Sequence, residues 1–202
     1  MLYNELMLKA GSRKGFTLVE LLIVIVVIGV LATIVMVAYG NVGKKANYAK
    51  MSTDVTSYVN LMKMWKAEFS TTSEPYPLTT LPNGVVAMPF CMGDVSQYPA
   101  ADGFAAGECA YYTGVSIVVN DDINSKLLQV ASQLPSASFP AFSFDAGGGL
   151  IIHVRGIIYQ VDESHSPPVL SVGSIGPSDM PCPQGQSSPF GAGASQCMVT
   201  LE

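Results

Sequence analysis

Charge is scarce in this chain, with 12% of its 202 residues being Asp, Glu, Lys or Arg. Basic residues nearly vanish after Phe69, where only Lys126 and Arg155 stand against eleven acids. A surface of that sign is poorly suited to gripping a phosphate backbone, so direct nucleic-acid binding is not expected. Catalytic signatures are missing as well. There is no glycine-rich phosphate loop, no His-Glu-x-x-His and no nucleophile elbow. Of the two histidines, His153 falls in an apolar strand pattern and His165 in a Ser/Pro-rich turn. Asp121 and Asp122 read as a helix cap, Asp162 and Glu163 as a strand end, and no calcium-loop spacing is present. The expectation is a non-enzyme with no cofactor and no metal.

Cysteine is also sparse: Cys91, Cys109, Cys182 and Cys197. None forms a C-x-x-C pair and no histidine lies near one in sequence, so disulfides are favoured over zinc or redox chemistry. Three pairings are possible. Local closure, being entropically easiest, favours Cys91–Cys109 and Cys182–Cys197.

The scarcity of charge is most extreme from Leu21 to Ala38, which is 18 residues without a single charge. Before Phe16 lie Lys9, Arg13 and Lys14 against one acid, Glu5. A basic flank beside one apolar run implies a single membrane segment with the N-terminal side cytoplasmic and the acidic remainder outside, where disulfides persist. A cleaved secretory signal is the competing reading, and Ala38-Tyr39-Gly40 would serve as its cleavage triplet. Against it, such a core spans about 7–15 residues, and here Glu20 stands just upstream of a longer run.

The decisive stretch is Gly15-Phe16-Thr17-Leu18-Val19-Glu20, flowing into Leu21-Leu22-Ile23-Val24-Ile25-Val26-Val27-Ile28-Gly29. It resembles the prepilin processing site shared by type IV pilins and secretion pseudopilins. The resemblance implies cleavage after Gly15 by a membrane-embedded prepilin peptidase and methylation of the new amine on Phe16. It implies that Glu20 pairs with the N-terminal amine of a neighbouring subunit during assembly on an inner-membrane platform. Physical reasons accompany each residue. Gly15 lets the backbone enter a protease cleft, and a lone carboxylate near the membrane interior is costly unless an opposite charge offsets it. The leader, 1–15, is longer than in short-leader pilins, and Val37 stands where many of them carry a helix-bending proline.

The remaining chain divides into a membrane or filament-core helix (16–39), an amphipathic continuation (40–70) and a head (71–202). Tyr48, Met51, Val55, Tyr58, Met62, Trp65 and Phe69 recur at spacings of three and four, which makes one helical stripe. Turns are expected at Ser73–Pro77 and Leu81–Gly84, and a surface loop between Cys91 and Cys109. Strands are expected at Val115–Val119, Phe142–Phe144, Leu150–Val154 and Gly156–Val161, with a Gly147–Gly149 hairpin. A helix is expected from Asp121 or Asp122 to Leu134, stopped by Pro135. From Gly173 to Cys197 the Gly/Pro/Ser content suggests a segment held only by its disulfide. The fold expected is α+β, a long N-terminal helix packed on a small antiparallel sheet.

The function expected is a structural subunit of a type IV pilus-like homo-oligomeric filament, first an inner-membrane precursor and then an extracellular pilus. The alternatives are a periplasmic secretion pseudopilus subunit and a membrane-anchored adhesin that does not polymerise.

Overall fold

The computed structural model describes residues 15–71, 76–77, 89–162, 169–182 and 186–201, without the side chains of 37–41. Residues 1–14 of the leader, Ser73 to Pro75 of the turn expected at Ser73–Pro77, the turn expected at Leu81–Gly84, Glu163 and His165 lie outside the described residues. Contacts divide the chain into two compact units, one up to Gly43 and one from Lys44 onward.

Helix α1 covers Leu18–Phe69. In the first unit its residues from Leu18 to Met36 are apolar apart from Glu20 and Thr33, and exposed on every side. In the second unit the periodic stripe turns inward. Met51, Val55, Tyr58, Met62 and Trp65 are buried, Val59 joins them, and Tyr48 is half-buried. Phe69 departs from the expectation and stays 39% exposed. It is the last residue of the helix and its ring lies tilted against that of Trp65, with ring centroids 5.9 Å apart.

Among the described residues the head contains nine strands and a short helix. In chain order these are β1 Phe90–Cys91, β2 Glu108–Tyr112, β3 Val115–Val118, α2 Asp121–Leu127, β4 Ser138–Asp145, β5 Ile151–Gly156, β6 Ile158–Asp162, β7 Val169–Pro177, β8 Gln186–Pro189 and β9 Ala194–Leu201. They form two antiparallel sheets, ordered β1-β6-β7-β9-β8 and β3-β2-β5-β4. The stripe from Val55 to Trp65 packs into one core with Tyr98, Leu127, Val154, Ile157, Leu170 and Val172, while Met51 packs with Met180 and Cys197. This is the expected α+β arrangement, with two sheets in place of one. The β4–β5 hairpin turns at Gly147, Gly148 and Gly149, all at positive φ, a backbone that suits residues without a Cβ.

Two local expectations are corrected and a third is sharpened. Helix α2 stops at Leu127, well before Leu134. The amides of Gln129 and Val130 donate to the carbonyls three residues back, tightening the exit into 3-10 turns. Its cap is Asn120, whose Oδ1 accepts from the Asp122 and Ile123 amides, while Asp121 and Asp122 occupy the first turn. The Cys91–Cys109 interval is exposed over most of Asp94–Ala106, as a surface loop should be, but it is anchored inward more firmly than expected. It buries Met92, Tyr98 and Phe104 and includes a 3-10 turn at Val95–Gln97.

The largest correction is at the C-terminal end. The segment expected to be held only by a disulfide is built around β7, which has a neighbour on each side and pairs with β9 from Leu170↔Leu201 to Pro177↔Ala194. Glycine inside it is a fitting residue. A Cβ on Gly173 would collide with the Cys197 carbonyl oxygen and Met198.

Candidate functional site

Gly15 and Phe16 precede α1 in irregular backbone. No described atom lies within 4 Å of where a Gly15 Cβ would stand, and Phe16 is 81% exposed. The bond between them is therefore open to an enzyme cleft.

Thr17 and Glu20 fix the start of the helix. The Thr17 amide and hydroxyl each donate to Glu20 Oε2 at 2.9 Å, and the Glu20 amide donates to Thr17 Oγ1 at 3.2 Å. This reciprocal arrangement is a capping box, with Thr at the N-cap and Glu three residues on. It satisfies amides that a helix start otherwise leaves orphaned. It also places a carboxylate in the first turn, where the helix dipole favours negative charge. The sequence reading assigned Glu20 an intermolecular role and missed this local one, although the Thr-x-x-Glu spacing was available to suggest it.

The apolar stretch Leu18–Met36 has 19 residues and a mean hydropathy of 3.1. At 1.5 Å per residue it is about 28 Å long, close to the hydrocarbon thickness of about 30 Å. Its surface must be covered by lipid or by other apolar helices.

In the head the structure joins Cys91 to Cys109, with Cα atoms 5.7 Å apart, and Cys182 to Cys197, at 5.5 Å. Cys91 and Cys109 are buried among the core residues, whereas the second pair ties the residues after β7 to β9. Among the described residues there is no cluster of His, Cys, Asp or Glu able to hold a metal. His153 stacks on Tyr111, with centroids 4.3 Å apart, and its Nδ1 lies 2.7 Å from Ser143 Oγ.

A buried charge escaped the sequence reading. Arg155 is 6% exposed and donates to the carbonyls of Glu108, Pro99 and Ala105 at 2.9, 2.7 and 3.0 Å. Its guanidinium covers the Phe104 ring at 4.4 Å. Burial pulls its pKa down, and the carboxylate of Glu108 opposes that pull. Glu108 is buried too and accepts from the Ala105 amide at 2.7 Å. Together these residues hold the chain from Pro99 to Glu108 on the sheet. The available signal was an arginine inside the apolar run from Ile151 to Ile158.

An open Gly-Phe bond, a capped apolar helix and an α+β head are the pilin-like arrangement expected from the sequence. Residues 11–36 match the family model described as the prokaryotic N-terminal methylation motif. The chain is similar to the type II secretion system core protein G of Pectobacterium carotovorum subsp. carotovorum, 33% identical over 98 residues, covering 48% of this chain and 60% of that protein. It is also similar to the type II secretion system core protein G of Escherichia coli (strain K12), 35% identical over 68 residues, covering 34% of this chain and 44% of that protein. It thus spans about half the length of these relatives. No solved structure matches the chain significantly.

Proposed function

We propose that this protein is a structural subunit of a type IV pilus-like filament, made as a membrane-anchored precursor and assembled through its N-terminal helix. The observation that carries the reading is the exposed Gly15–Phe16 bond immediately before a capped apolar helix with Glu20 in its first turn. Prepilin peptidase cuts after Gly15 and Phe16 becomes the methylated N-terminus. The new amine is cationic near neutral pH, with a reference pKa of about 7.7–8.0. A charge at mid-membrane costs roughly 2.5–3.5 kcal/mol, so the carboxylate of Glu20 and the amine of a neighbouring Phe16 each offset the other. That pairing sets axial register as subunits leave the membrane. Nothing in this mechanism calls for catalysis by the chain itself.

The second reading is a secretion pseudopilin, favoured by the names of both relatives. The abundance of loop-forming residues, 13 Pro and 19 Gly, supports an exposed filament surface instead.

N-terminal analysis of the protein sheared from cells tests both. N-methylated Phe16 in long surface fibres is expected, and processed protein confined to the envelope transfers the case to the pseudopilin. An intact Met1 in assembled material sinks both readings. Glu20→Ala should be processed normally yet yield about tenfold fewer filaments, in line with a loss near 1.4 kcal/mol. Unchanged assembly would refute the pairing.

A further inference from the structure

Residues from both sheets of the head line one cavity, and the sheets are joined at two places. At one, Cys91 bridges to Val119. At the other, the Ala192 amide donates to the Asp145 carbonyl at 2.8 Å, and the Phe144 and Phe190 rings meet edge to face at 5.7 Å. Between these seams lies a cavity of about 530 Å³. Its floor is apolar and buried, made by Ala110, Ile117 and Val154 from one sheet and Ile158 and Ile175 from the other. Tyr112, Gln160 and Gln196 supply neutral hydrogen-bonding groups in the wall, and Gln160 is exposed to solvent. None of its described lining residues is Asp, Glu, Lys, Arg or His.

We propose that this cavity binds a small uncharged amphiphile, with an aliphatic or aromatic body on the apolar floor and a hydroxyl or amide end at Tyr112, Gln160 and Gln196. The size falls in the range of about 300–1,000 Å³ typical of small-molecule sites, which are mostly apolar with a few placed polar groups. The neutral lining selects the ligand's charge. An ionised group carried inside would lose its hydration and meet no counter-charge, which is costly. A neutral end loses less, because amide and phenol groups replace its water partners. A second copy of this chain is the competing occupant. The site is independent of the filament reading, since it lies wholly within the head and uses no residue of the N-terminal segment.

The test uses the full chain in lipid nanodiscs and a photoreactive fatty alcohol of about twelve carbons, a size suited to the cavity. Mass-spectrometric mapping separates labels in the head from those in the apolar helix. Label on peptides of β5, β6 and β7 that saturates, and that unlabelled alcohol displaces, is expected. A chain of equal length ending in a trimethylammonium group should label these peptides about tenfold less. Leu150→Trp, at the half-buried part of the lining, should reduce labelling by a similar factor while both disulfides form. Three results overturn the proposal. They are no saturable label in the head, equal labelling by the charged chain, and labelling that disappears whenever copies self-associate, which would assign the space to a second copy. The charge comparison is made on the unmodified protein, so it decides the matter even where Leu150→Trp fails to fold.

Discussion

The residues from Leu18 to Met36 and those from Lys44 onward are both rich in apolar side chains, but they use them differently. The first stretch is apolar on all sides and buries none of its surface within the chain. The second confines its apolar residues to a stripe and buries that stripe under two sheets. An all-round apolar helix is made for lipid or for other helices, whereas a striped one completes a water-soluble core. One continuous helical pattern therefore carries two solvents' worth of design, and the change falls near the boundary at Gly43 and Lys44.

Substitution should expose this difference most strongly in side-chain truncation. Trp65→Ala removes a buried ring from the head core and should cost about 3–5 kcal/mol of head stability. Ile25→Ala should leave denaturant unfolding of the head unchanged to within about 0.5 kcal/mol. Comparable losses from both would erase the distinction.

Next comes the covalent staple. Replacing Cys91 and Cys109 by serine opens a loop with a sequence separation of 18 residues and should cost about 2–5 kcal/mol. Circular dichroism of the apolar helix in lipid should be unaffected. A simultaneous loss of that helix would tie the two regions together more tightly than their contacts suggest.

A smaller effect is expected from pH. Burial raises the pKa of Tyr58, with Asp54 adding to the shift, and burial likewise raises Tyr98 above the ordinary value of 10.0. The folded state therefore holds these protons longer than the unfolded chain. Their contribution is complete below about pH 10 and is lost as pH climbs toward the folded values. Head stability should fall above about pH 10, and Tyr58→Phe should flatten the slope. A slope unchanged in that variant would remove Tyr58 as its source.

The smallest effect belongs to the helix start. Thr17→Ala deletes the N-cap and should cost about 1 kcal/mol locally. Hydrogen exchange should quicken in the first turn of α1 and not in the strands. Protection unaltered in that turn would mean that the capping box contributes nothing.

Legibility in the sequence followed the range of the interactions. The Gly15-Phe16 motif, the apolar run, the inward stripe and the Gly147–Gly149 hairpin were all readable, because each rests on neighbours within a few residues. The position of β7 was not. Its Gly173 and Gly176 look like loop residues until β9 is laid beside them, and only then does the close approach to Cys197 and Met198 account for a missing Cβ at Gly173. Arg155 was missed for the same reason, since its three carbonyl acceptors lie 47 to 56 residues away.

By itself, then, the sequence determined the membrane-length helix, the Gly15-Phe16 motif before it and the α+β character, through periodicity, charge and local turn chemistry. The tertiary structure alone decided the split into two sheets, the central place of β7, the buried Arg155–Glu108 pair and the apolar cavity between the sheets. Those features depend on which distant strands meet, and strand order is set by the summed packing of the whole head.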